Sequence, residues 1–138
     1  MSQVDLNYLA IFVGAISNMI LGFLWYGPIF GKTWIALMGF TNESMEAAKA
    51  KGMGKQYTLM FLGALTMSYV LAHFIDYAGA ATIPQGIQAG FWVWLGFIAP
   101  VTLGSVLWDN KPWKLWFLNN GYYLISLVIM GGILASWI

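Results

Sequence analysis

Residues Trp113 to Trp137 read WKLWFLNNGYYLISLVIMGGILASW, and after Lys114 this stretch carries no charge. A helix rising 1.5 Å per residue needs about 20 residues to cross about 30 Å of hydrocarbon, so the run is long enough to span a bilayer. Three others share its character: Leu6 to Tyr26, Tyr57 to Tyr77 and Pro84 to Trp108. No water reaches unpaired backbone groups inside a bilayer, so runs of this length span as helices, whereas barrel strands would be about ten residues of alternating character. The expected fold class is all-α: an integral membrane four-helix bundle, one transmembrane domain over residues 1–138, with a loop at 28–56 and a short interfacial segment after helix one.

Composition agrees. Of 138 residues, 60% are hydrophobic and 8% charged, against about 25% charged in a soluble domain. So few charges cannot coat a small domain in water, which makes the lipid bilayer the expected surroundings. The absence of cysteine excludes a disulfide scaffold and a thiolate metal site. Six lysines, no arginine and a net charge of +1 build no basic stripe, so no nucleic-acid partner is expected. The first run follows Asp5, lacks a basic leading segment and exceeds the length of a signal core, so it reads as a retained helix.

Lysine placement sets an expected orientation. Lys32, Lys49, Lys51 and Lys55 lie between helices one and two, Lys111 and Lys114 between helices three and four, while Asp5 and Asp76 sit on the other side. The positive-inside rule then puts the lysine-bearing loops in the cytoplasm and both termini outside, in a bacterial inner membrane. Tyr26, Trp34, Tyr57, Trp108 and Trp113 would mark one interface, and Tyr8, Tyr77 and Trp137 the other. Within the first loop, Pro28 to Phe40 is apolar but too short to span and should lie along the interface. Thr41 or Asn42 could cap a short helix with Glu43 and Glu46 early and Lys49 and Lys51 late, broken by Gly52 and Gly54.

Every helix carries small residues at four-residue spacing, a pattern that lets helix backbones approach. The stripes are Ala10, Gly14, Asn18 and Gly22 in helix one and Ala64, Ser68 and Ala72 in helix two. Helix three has Gly86 and Gly90, then Gly96, Pro100 and Gly104, and helix four has Gly131 and Ala135. Such abundance also suits a homo-oligomer, with a dimer expected. Asn18, Pro100, Thr102, Asn119 and Asn120 all fall in the same half of the membrane, next to the lysine-bearing loops. An amide stranded in hydrocarbon is costly, so these residues should face the bundle. Pro100 also leaves a carbonyl near Gly96 without its helical donor. The expectation is one polar cavity formed by Asn18, Thr102, Asn119, Asn120 and the Pro100 kink, opening towards the cytoplasm and bounded by the turn after helix one, whose Trp25 and Lys32 are further binding candidates.

His73 and Asp76, three residues apart, share a helix face and read either as a proton relay or as residues wetted at the interface. One histidine, no cysteine and scattered carboxylates support no metal site, and no cofactor is expected. Nucleophile motifs and phosphate-binding loops are absent as well, so the chain is not expected to be an enzyme.

The turn after helix one runs Trp25, Tyr26, Gly27, Pro28, Ile29, Phe30, Gly31, Lys32, Thr33, Trp34. With the last helix quoted above, it resembles the domain of unknown function 1761 family, small integral membrane proteins with a similar WY-small-P-x-x-G-K-x-W signature and asparagine-glycine-tyrosine helix. The likeness covers nearly the whole chain, the loop from Thr41 to Lys55 least well. It implies a four-helix membrane protein, no established activity and no catalytic residues to carry over. Trp25, Gly27, Pro28, Gly31, Lys32 and Trp34, with Asn119, Gly121 and Tyr122, are the signature positions. Physically, Gly27 and Pro28 would end the helix, Gly31 would allow a second bend, and the aromatics would anchor the corner at headgroup depth. Lys32 reads as a snorkelling anchor, or as a gate for an anionic solute or headgroup. Two functions follow as expectations: binding or transport of a small solute or ion through the cavity, or a non-catalytic structural or accessory role in a membrane complex.

Overall fold

The structure, a computed structural model, describes residues 6–137; Asp5, expected on the same side as Asp76, lies outside them. Four helices are long and apolar enough to cross a membrane: Tyr8–Ile29, Gly54–Tyr77, Ile83–Leu107 and Trp113–Ser136. In finer detail the order is α1 (Tyr8–Leu24), α2 (Gly31–Met38), α3 (Asn42–Lys51), α4 (Gly54–Tyr77), α5 (Ile83–Val93), α6 (Ala99–Thr102), α7 (Gly104–Leu107) and α8 (Trp113–Ser136), with π turns at Trp25–Ile29 and Trp94–Ile98. No strand occurs among the described residues.

Side-chain chemistry starts and stops these helices. Asn7 Oδ1 accepts from the Ala10 backbone N–H to cap α1, and Thr82 caps α5 ahead of Pro84. Thr41 and Ser44 cap α3 reciprocally, so of the two cap candidates, Thr41 and Asn42, it is Thr41 that serves. Gly39 and Gly52 end α2 and α3 at φ 74° and 83°, values that favour glycine. Gly54 does not break the helix as expected; it opens α4, so Gly52 and Met53 separate the loop helix from the second span.

The bundle is organised around α8, half of whose apolar window is buried, against 11% for the third span. α1 packs on α4 and α8, and α5 packs most extensively on α8. Glycine makes the α5–α8 contact possible: a Cβ on Gly86 would run into the Gly131 carbonyl, and one on Gly90 into the Leu127 carbonyl. Backbones approach as closely as in small-residue membrane interfaces generally. On the other side Gly14 leaves room for Ser68, whose buried hydroxyl donates to the Ile11 carbonyl at 2.8 Å. Met130, Leu127 and Leu71 fill the centre.

One expected packing face differs. Gly96 and Pro100 are exposed, and a Cβ on Gly96 would meet nothing within 4 Å. The π turn at Trp94–Ile98 inserts an extra residue, so the inward register runs Gly86, Gly90, Trp94, Ala99 and leaves the Gly96–Pro100 stripe outside. Trp92, Phe97 and Val101 share this outward surface, as lipid-facing residues do.

Candidate functional site

At the lysine-bearing end, the corner after α1 closes onto the start of α8. The Trp25 indole N–H donates to the Leu118 carbonyl at 3.0 Å, and the Tyr26 hydroxyl donates to Asn119 Oδ1 at 2.7 Å. Pro28 sits within the π turn, where the Phe30 N–H reaches the Trp25 carbonyl five residues back, at 2.9 Å. Gly121 gives the Trp25 ring its place: a Cβ there would stand 3.2 Å from the indole. Gly31 does the same for the backbone, since a Cβ would lie 2.9 Å from the Tyr26 carbonyl oxygen. Trp34 and Tyr122 both meet the Tyr26 ring edge to face at 5.3 Å. Gly27, Pro28 and Lys32 are exposed on the outer side of the corner.

Deeper along the same face of α8, Asn18 donates through its side-chain amide to the Ser126 hydroxyl, while the Tyr122 hydroxyl donates to the Asn18 backbone carbonyl at 3.1 Å. The neighbouring face of α8 holds the third span. Thr102 Oγ1 donates to Asn120 Oδ1 at 2.8 Å and accepts from the Trp116 indole at 3.1 Å. The Asn120 amide donates to the Trp116 carbonyl, and the Trp94 indole donates to the Asn120 carbonyl, both at 3.0 Å.

The polar residues are therefore not gathered into one cavity. Adjacent helical positions point about 100° apart, so Asn119 turns to the first span and Asn120 to the third. Asn18 meets Ser126, a turn or more away from either, and Pro100 lies outside. Among the described residues, no buried side-chain nitrogen or oxygen lacks a hydrogen-bond partner. At the opposite end, His73 Nδ1 meets the Tyr69 carbonyl of its own helix at 2.8 Å rather than Asp76, and Asp76 is exposed. Asp76 lines a cleft of about 410 Å³ between α1, α4 and α8.

Several partners were not singled out from sequence. Ser126 stands four residues after Tyr122 and seven after Asn119, a helical repeat that marks the face turned to the first span. Tyr26 read only as an interface aromatic. Trp94 and Trp116 are tryptophans among eight, with no local pattern to distinguish a donor from a membrane anchor.

The family model described as Protein of unknown function (DUF1761) matches residues 9–135. The chain belongs to the DUF1761 family. No curated protein and no solved structure matches it. The DUF1761 segment includes both partners of each of the contacts Trp25–Leu118, Tyr26–Asn119, Asn18–Ser126 and Thr102–Asn120. Of the signature positions, Trp25 and Trp34 of the first turn and Asn119, Gly121 and Tyr122 of the last helix thus gather around Tyr26 and Leu118 as one aromatic and amide lock, and Gly27, Pro28 and Lys32 stay outside it.

Proposed function

We propose that this DUF1761 protein is a non-catalytic structural or accessory module of a bacterial cytoplasmic membrane. The reading rests on the satisfied interior: among the described residues the buried amides and hydroxyls bond to other helices or to their own, and none is left without a partner to line a wetted path. Transport needs polar groups that exchange with water or solute along a route to both faces. In this bundle those groups fasten α8 to the first and third spans instead, a common use of polar side chains in membranes. The lysine-bearing loops face the cytoplasm and both termini lie outside, a reading supported by all six lysines falling in the connections between spans one and two or three and four, or at the second residue of the span that follows. Gly63 and Gly96 present small outward surface on the second and third spans, where a helix of another subunit or of a second copy packs closely.

Native mass spectrometry of the protein extracted from its own membrane in mild detergent tests this. A second protein at fixed ratio is the expected result, and a bare monomer overturns the accessory role. Ion flux through vesicles holding the pure protein, above that of protein-free vesicles, would overturn the non-conducting interior. A single cysteine at Ser44, labelled by an impermeant maleimide only after the membrane is opened, is expected from the orientation.

A further inference from the structure

The cleft at the lysine-free end differs from the rest of the bundle surface in joining a carboxylate to apolar walls. Its volume of about 410 Å³ falls in the range of about 300–1,000 Å³ typical of small-ligand sites. Ala10 of α1 and Ala72 of α4 have side chains too short to fill the space between the helices, and Leu134 of α8 closes it from the third side. Asn7 and Trp137 hold the rim together, the Asn7 amide donating to the Trp137 carbonyl at 3.2 Å. The exposed Asp76 carboxylate lines the same cleft.

We propose that this cleft binds a small amphiphilic organic cation, an ammonium group on an apolar body, with the ammonium at the Asp76 carboxylate. The charge distribution fits: all six lysines lie at the other end of the bundle, so no lysine competes for Asp76 or repels the ligand. An inorganic cation would leave the alanine and leucine walls unused, and a neutral apolar molecule would desolvate the carboxylate without compensation. Trp137 also lines the cleft, and tryptophan is the side chain whose ring attracts ammonium groups best. The cleft opens where α1 begins and α4 and α8 end, at interface depth, where amphiphilic cations concentrate. A free amine and the primary ammonium of a lipid headgroup share this chemistry. The inference goes beyond the structural role proposed above and does not depend on it.

Equilibrium dialysis of the full chain in neutral maltoside detergent tests it, with radiolabelled benzyltrimethylammonium as the probe and neutral N-benzylacetamide as the control of similar size. Saturable binding of the cation is expected, weakened about tenfold or more by Asp76→Asn with helicity and thermal unfolding unchanged. Ala72→Leu, which fills the cleft and leaves the carboxylate, should weaken it as well. No saturable binding, equal binding by Asp76→Asn, or equal binding of N-benzylacetamide overturns the proposal. Displacement of the probe by added phosphatidylethanolamine supports it with a lipid headgroup as the natural occupant, and saturable binding without displacement supports it with a free cation.

Discussion

The Tyr26 hydroxyl donates to Asn119 Oδ1 at 2.7 Å, joining the corner after the first span to the start of α8 across 93 positions of chain. Trp25 bonds one residue earlier on each strand of this closure, to the Leu118 carbonyl. Around the Tyr26–Asn119 bond stand the rings of Trp34 and Tyr122, both edge to face with the Tyr26 ring. The corner, α2 and the beginning of α8 therefore form one packed unit.

A double-mutant cycle with Tyr26→Phe and Asn119→Leu should return a coupling of about 0.6 kcal/mol, up to about 1.7 kcal/mol, the range measured for hydrogen bonds between membrane helices. Reversible unfolding in mixed micelles, followed by circular dichroism, provides the four stabilities. Strictly additive losses would mean that the two side chains do not bond.

Glycines that look alike in sequence should behave oppositely. Gly86→Ala and Gly90→Ala each drive a methyl into the α8 backbone, and overpacking of this kind costs about 1–3 kcal/mol or more. Gly96→Ala meets nothing within 4 Å and should leave stability unchanged or raise it, since alanine favours helix over glycine. Thermal unfolding of the three variants checks the contrast, and a destabilised Gly96→Ala would contradict the outward assignment.

The spans, the loop helix and the Asn18 and Gly86–Gly90 faces were legible because length, hydropathy and spacing are properties of a single helix. Two things were not. Gly96 and Pro100 mark a weak point in the third span but not its outcome, and only the packing of Trp94 and Ala99 against α8 shows that a π turn at Trp94–Ile98 shifts the register and puts Pro100 outside. Counting from the helix ends grouped Asn18, Asn119 and Asn120 by level along the spans, but level says nothing about azimuth. Neighbouring asparagines on α8 face different helices, so residues at one level divide among three separate contacts. The Asp76 cleft escaped notice because it is formed by what Ala10 and Ala72 leave empty.

Thr102 should tolerate serine and not valine. Its hydroxyl both donates to Asn120 and accepts from Trp116, so Thr102→Val leaves two polar groups without that partner, at about 1–3 kcal/mol for a buried group left unmade. Thr102→Ser retains both bonds and should lose well under half as much in the same unfolding assay.

The cap of α3 is local and should report locally. Thr41→Ala removes the acceptor of the Ser44 N–H, worth about 1 kcal/mol to a helix N-terminus. Amide exchange over residues 42–51 should rise several-fold while α8 keeps its protection, because α3 has no buried residue tying it to the bundle. Faster exchange spread across α8 would show that the loop helix supports the core.

Asn18 offers the sharpest separation of a structural interior from a wetted one. Asn18→Leu deprives the buried Ser126 hydroxyl of its donor, and Ser126→Ala deprives the Asn18 amide of its acceptor, each at about 1–3 kcal/mol. In a dry lock, removing both partners together is less harmful than removing one, because no polar group is left stranded. The double variant Asn18→Leu/Ser126→Ala should therefore recover a large part of the stability lost in Asn18→Leu alone. Along a hydrated path, water would serve whichever partner remained, and the double variant would be no more stable than the single one. Unfolding of the three variants in one detergent decides between these outcomes, and recovery of stability is the result expected from a bundle whose polar side chains hold its helices together.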